Sequence, residues 1–159
     1  MDLEIRVVSR PGKKKFFASY ENVTEVIQTN NFFTETSEWY EKLCQDIDIV
    51  IHLAWYAERG KYLESSLNIE CLSGTLNFAS AAAEHGIKKF VGVGTCFEYD
   101  LDTVKGLDVN SPLNPRHLYS ISKSAAFLLL SKNYLLLIQD PNRTLLLPDK
   151  TVLFLLLFP

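Results

Sequence analysis

Apolar and polar positions along this chain fall into short apolar runs, separated by longer stretches in which apolar residues recur every three or four positions. Glu4 to Ser9 (Glu-Ile-Arg-Val-Val-Ser) is short and β-branched and predicts a strand close to the amino terminus, ended by Arg10, Pro11 and Gly12. Val23 to Gln28 predicts a second strand. Asn30 and Asn31 break the pattern, and Thr36 or Ser37 can cap a short helix holding Trp39, Tyr40 and Leu43. The run Asp48-Ile49-Val50-Ile51-His52-Leu53-Ala54 is apolar on both faces, as buried parallel strands are. From about Leu63 to Glu84, Leu67, Cys71, Leu72, Leu76, Ala79 and Ala83 recur at helical intervals, and Gly86 suits the C-cap, with His85 in the last turn. Lys89 to Val93 predicts the next strand. After a polar loop a further helix follows, with Asn114 as N-cap and Pro115 at the first helical position, where a missing amide costs nothing.

Strands alternating with helices of this length predict an α/β fold: a doubly wound, mostly parallel, Rossmann-like sheet in three αβα layers. Ligands in such sheets bind beyond the carboxyl ends of the strands. A chain of 159 residues with 47% apolar content can bury one real core, so one domain is expected. The net charge of -3, from 16 basic and 19 acidic residues, gives no electrostatic reason to expect nucleic acid or an anionic membrane as partner. Lys13 to Lys15 is the only basic run and reads as a solvated loop. Cys44, Cys71 and Cys96 are scattered and read as small hydrophobes in a reducing compartment. No apolar run near Met1 resembles a signal peptide, and Val152 to Phe158 falls far short of the roughly 20 residues that span a bilayer, so a cytoplasmic protein is expected. His52, His85 and His117 have no clustered partners, so no metal site is expected. The serines lie in no Gly-x-Ser-x-Gly context.

Candidate chemistry centres on Tyr119-Ser120-Ile121-Ser122-Lys123. Residues four apart share a helix face, so the phenol and the ammonium can act together. A cation within a few ångströms favours the phenolate, bringing the tyrosine's titration down toward the range general acid–base catalysis needs. Alone, the pair is equally a solvated helical contact.

Four features in order change that balance: His52-Leu53-Ala54 closing one strand, Gly74-Thr75-Leu76-Asn77 in the next helix, Val93-Gly94-Thr95-Cys96-Phe97-Glu98-Tyr99 after the next strand, and Tyr119 with Lys123. From about Glu4 to Tyr134 the chain resembles the extended short-chain dehydrogenases, which include nucleotide-sugar epimerases, dehydratases and 4-ketoreductases. The resemblance implies a catalytic set of Thr95, Tyr119 and Lys123. Thr95 would hydrogen-bond the sugar oxygen being oxidised or reduced, Tyr119 would carry its proton, and Lys123 would lower the tyrosine pKa and hold the nicotinamide ribose. It also implies cofactor contacts at Arg10, Asn31, Phe32, Leu53 and Ala54. The cofactor implied is NAD(P), with NADP favoured because Arg10 stands where an acidic residue would bind a ribose 2′-hydroxyl and an arginine can pair with a 2′-phosphate. The implied partner is a nucleotide-sugar substrate, and the family's pairing through helices including that of Tyr119 points to a homodimer.

The departures narrow this further. No glycine-rich phosphate fingerprint precedes the strand at Glu4, so the sheet is expected to be incomplete at its centre and its affinity for cofactor reduced. Cys96 and Phe97 stand where dehydratases carry Asp and Glu, which leaves epimerisation or ketone reduction. Cys71 replaces an Asn often found three residues before the helix Gly-Thr, with Asn68 one turn earlier. Two segments are expected: residues 1–134 as a partial dinucleotide-binding domain and residues 135–159 as an atypical Leu-rich tail. In that tail Leu135 to Leu137, Leu145 to Leu147 and Leu155 to Leu157 are separated by turn residues and suggest two short strands or a compressed hairpin. A drifted sequence is the preferred account of it, and a strand filling the empty central slot is the alternative. A nucleotide-sugar oxidoreductase or isomerase, and a catalytically inactive binding or regulatory module, are both open functions.

Overall fold

The computed structural model describes residues 3–102, 106–108, 110–138 and 150–155. Strand β1 spans Leu3–Ser9, helix α1 Lys14–Phe17 and strand β2 Val23–Gln28, followed by helix α2, Ser37–Cys44, and strand β3, Ile49–His52. Helix α3 (Leu67–Glu84), strand β4 (Lys89–Gly92), helix α4 (Leu118–Ile138) and strand β5 (Lys150–Leu155) complete the order. The sheet runs β2-β1-β5-β3-β4, and every described pairing in it is parallel.

This order is the doubly wound pattern. The connection from β1 to β2 moves one way along the sheet, while β2 to β3 and β3 to β4 move the other. Right-handed crossovers therefore place α1 on one face and α2 and α3 on the other. The helical layers are unequal: α1 is four residues long, whereas α3 has 18 and packs between α2 and α4. The main core lies on the α2–α3 side, where Val8, Val50, Phe32, Tyr40 and Phe78 are all at most 1% exposed. Arg6 ties the two halves of that side together, donating to the carbonyls of Leu43 (3.0 Å) and Gln45 (2.9 Å) and pairing with Glu25 at 2.6 Å.

Most predicted elements stand where the periodicity put them, and three differ. Lys14 and Lys15 belong to the short helix α1 rather than to a loop, although both are exposed. Helix α4 begins at Leu118, not at Pro115, because the segment before it is drawn into extended pairing. Leu113 bridges Tyr99, Asn114 N–H donates to the Glu98 carbonyl at 2.9 Å, and Asp100 N–H donates to the Pro112 carbonyl at 3.0 Å. In the tail, Leu135 to Leu137 continue α4 instead of opening a strand, and Leu145 to Leu147 lie outside the described residues.

The central slot is filled. Strand β5 lies between β1 and β3, with Ile5 opposite Val152 on one side and Ile49 opposite the same residue on the other. This pairing matches the alternative reading of the tail. It gives β1 and β3 the hydrogen-bonding neighbour each lacks in the sequence before residue 139, and an unpaired central edge is costly.

Candidate functional site

Along β4 and against α4 the chain forms a cleft of about 750 Å³, lined from Lys89 through Gly92 and by Phe127 and Leu130, and reaching His52, Trp55, Thr95, Glu98 and Lys123 past the carboxyl ends of β3 and β4. Thr95 follows β4 and caps a 3-10 turn over Cys96–Glu98. Its hydroxyl accepts from Phe97 N–H at 3.4 Å while Glu98 Oε1 accepts from Thr95 N–H at 2.6 Å, a reciprocal capping box. The turn is tight against Gly94, where an added Cβ would stand 2.9 Å from Glu98 Oε1.

Tyr119 is held from its backbone. Its N–H donates to the Leu63 carbonyl at 2.9 Å, and one residue earlier the N–H of Leu118 donates to Glu64, whose other oxygen lies 2.8 Å from His117 Nδ1. The phenol ring stands edge-on to Tyr62 (centroids 4.8 Å, 90°) and to Trp55 (6.5 Å, 82°). Burial raises its pKa above the ordinary value, partly offset by a hydrogen bond with the Thr95 side chain.

Lys123 is 7% exposed. Its Nζ donates to the Val93 carbonyl at 2.8 Å and sits 4.1 Å over the Trp55 ring. Burial lowers its pKa to about 8, with Glu98 and Cys71 acting in the opposite direction. The expected lowering of Tyr119 by Lys123 is not what the structure shows. The ammonium is turned to the indole and a backbone carbonyl, and desolvation dominates the phenol.

The structure thus brings Thr95, Tyr119 and Lys123 together. Beside them Leu53 is half-buried and Ala54 fully buried, continuing β3 toward Trp55. Arg10 and Asn31 follow the ends of β1 and β2, and Phe32 packs against the His52 ring, with centroids 5.7 Å apart. Arg10 is exposed, and its carbonyl accepts from Gln28 Nε2 at 3.1 Å. Asn31 caps the turn over Phe32–Thr34, accepting from Phe33 N–H, and donates to Glu70 Oε1 at 2.8 Å. Phe32 is 0% exposed, stacked edge-on with Tyr40 and Phe78, so its ring belongs to the core and presents no face to a ligand.

His52 is 3% exposed and bonded through Nε2 to Thr75 Oγ1 at 2.9 Å. Burial, and then the charge of Lys123, lower its pKa to about 3, so it is neutral at physiological pH. Among the described residues no group of three or more His, Cys, Asp or Glu side chains could hold a metal. Sequence reasoning overlooked Glu98, though Thr-x-x-Glu is a readable capping-box signal. Trp55 as the cover of Lys123 had no such signal, because only the fold brings the two together.

A family model described as "NAD dependent epimerase/dehydratase family" matches residues 3–133. The dTDP-6-deoxy-L-talose 4-dehydrogenase (NAD(+)) of Aggregatibacter actinomycetemcomitans is 33% identical over 94 residues, 59% of this chain and 34% of that protein. Among solved structures, the UDP-Glc/GlcNAc 4-epimerase of Campylobacter jejuni superposes with a TM-score of 0.72 at 19% identity, covering 86% of this chain and 43% of the other. The Bordetella bronchiseptica enzyme WbmG, solved with NAD and UDP, gives 0.62 at 22% identity, covering 80% and 41%. The chain therefore spans well under half the length of these relatives, and the structural likenesses establish a Rossmann-like fold.

Proposed function

Because the chain belongs to the NAD dependent epimerase/dehydratase family, we propose that it carries the proton-transfer site of an NAD(P)-dependent epimerase or 4-ketoreductase acting on a nucleotide-linked sugar. The observation that supports this most is the hydrogen bond between the Thr95 and Tyr119 side chains just after β4, with the buried Lys123 bonded to Val93 beside them. The reacting end of a dinucleotide suits this site: it is concave, partly dry and supplied with both a hydroxyl and an ammonium.

When bound, the nicotinamide supplies hydride transfer. The chain's own residues supply proton chemistry and placement. Thr95 donates a hydrogen bond to the sugar oxygen. Tyr119, kept protonated by burial, gives its proton to that oxygen as a carbonyl becomes an alcohol, and regains it in the reverse direction. Lys123 has three donors, of which one goes to Val93, and can offer another to a ribose hydroxyl. Cys96 and Phe97 supply no carboxyl group to move protons for water elimination, so dehydration is disfavoured.

NADP is the preferred dinucleotide in this proposal, on the strength of exposed Arg10 at the end of β1. The Aggregatibacter relative is named for NAD(+). The exposed apolar residues Ile121, Leu128 and Leu129 on α4 and Ile69 on α3 suit pairing with a second copy. The burial of Phe32, whose ring presents no face to a dinucleotide, favours a second reading, a chain that keeps the site but neither holds cofactor nor turns over. Titrating NADPH and NADH against the fluorescence of Trp55 and Trp39 separates the two. A saturable response that Lys123→Met weakens at least tenfold is expected, tighter for NADPH. No saturable response to either would overturn the enzyme reading for this chain.

A further inference from the structure

Asn68, in the first turn of α3, is 0% exposed. A buried amide is costly unless its donors and acceptor are engaged, and an early helical position gives it no intrinsic advantage beyond that. Here every group is used. Oδ1 accepts from Trp55 Nε1 at 2.9 Å, and Nδ2 donates to the carbonyls of Tyr62 (2.6 Å) and Ser65 (2.9 Å). These partners are the two walls of the candidate site. The indole of Trp55 covers the Lys123 ammonium at 4.1 Å, and the ring of Tyr62 abuts that of Tyr119 at 4.8 Å. The residue after Tyr62, Leu63, receives the backbone N–H of Tyr119.

We propose that Asn68 is a positioning residue for the Tyr119–Lys123 couple, using its single side-chain amide to hold the indole over Lys123 and the Tyr62–Ser65 loop against Tyr119. It touches neither reacting group. This role rests on the proposed function for its catalytic meaning, but its physical content stands without cofactor. With the indole fixed, the ammonium is enclosed between an aromatic face and the Val93 carbonyl and sheds its water. With the indole released, water returns. The other groups that act on the Lys123 charge are Glu98 from the 3-10 turn, Cys71 from α3 and His52 from β3. None of these is bonded to Asn68, so removing its amide leaves their charges in place.

The test is the titration of Lys123 in the full chain, followed by NMR of isotopically labelled lysine and assigned through Lys123→Met. The wild-type midpoint is expected near 8. In Asn68→Ala it is expected to rise by at least one pH unit toward the ordinary lysine value. Trp55→Phe, which keeps a ring but removes the anchored N–H, is expected to move it the same way. The double variant is expected to move it by less than the sum, because both changes break one route. A folded Asn68→Ala protein with a lower melting temperature but an unmoved midpoint would overturn the proposal, since that is what a merely structural amide does. Should Asn68→Ala fail to fold, Trp55→Phe decides in its place, and an unmoved midpoint there is equally fatal. Failure of dinucleotide binding would sink the functional reading while leaving this titration result intact.

Discussion

Replacing Gly74 by alanine sets two effects of opposite sign against each other. In an exposed helix interior the change is worth about 1 kcal/mol in favour of alanine. Gly74, however, faces the turn that carries Phe33, and an added Cβ would stand 2.5 Å from both the Cα and the carbonyl oxygen of Phe33. Carbon contacts settle near ~3.5–4.0 Å, so helix α3 and the turn would have to separate by about 1 Å. Both sides of this contact are backbone and cannot rotate away. The turn is also fastened, through Asn31, to Phe33 N–H at 3.1 Å and to Glu70 at 2.8 Å, and Phe32 is locked into the core beside it. Overpacking typically costs about 1–3 kcal/mol, and this geometry belongs at the upper end. Loss of the Asn31–Glu70 bond adds about 1 kcal/mol, and the propensity gain removes about as much. The net expectation is a loss of about 3 kcal/mol, or roughly 6–12 °C in melting temperature for a chain of this size. Thermal and urea unfolding of Gly74→Ala measure it, with the exposed neighbour Ser73→Ala as control, expected to change stability by less than about 0.5 kcal/mol. A Gly74→Ala protein as stable as wild type would refute so close an approach of α3 to the turn.

Two further outcomes follow from the sheet and from the buried histidine. Leu153→Pro removes a backbone donor from β5, which pairs on both sides, and is expected to abolish cooperative unfolding, whereas Thr24→Pro in the edge strand β2 is expected to leave a folded protein; circular dichroism after purification distinguishes them, and equal tolerance would remove β5 from the centre. His52 titrates at 6.5 when unfolded and at about 3 when folded, so between those values only the unfolded chain binds the proton, and the stability of the native state is full above about pH 6.5 and declines as pH falls toward 3. Urea unfolding from pH 6.5 to 4 is expected to give a steeper decline for wild type than for His52→Asn, approaching 1.36 kcal/mol per pH unit, and parallel curves would show that the histidine is not held neutral.

Local pattern made much of this molecule legible. Strand β2, helix α2 with Thr36 as its cap, and the buried run of β3 follow from periodicity and capping chemistry alone, because neighbouring residues supply the whole signal. The start of α4 was not legible: Pro115 is a good first residue for a helix, but Leu113 and Asn114 are claimed by the distant Tyr99 and Glu98. Strand β5 shows a limit at larger scale: the apolar run from Val152 reads as a strand, but its place between β1 and β3 was suggested only by the gap the family resemblance leaves there, since a partner such as Leu3 is about 150 residues away. At the site, helical spacing paired Tyr119 with Lys123, and the family resemblance added Thr95. The direction of the Tyr119 shift depends on how deeply the ring is buried and where the Lys123 ammonium points, and neither is written in a four-residue interval.

Helices α1 to α4 and the first four strands can form before β5 is available, yet the sheet they leave is two separate ribbons, β2-β1 and β3-β4, each with a bare inner edge. Closing the gap between them joins segments about 150 residues apart in sequence, a non-local contact whose loop-closure entropy slows folding. Until that contact forms, the inner edges of β1 and β3 are the templates on which a stray strand or a chaperone competes for the gap.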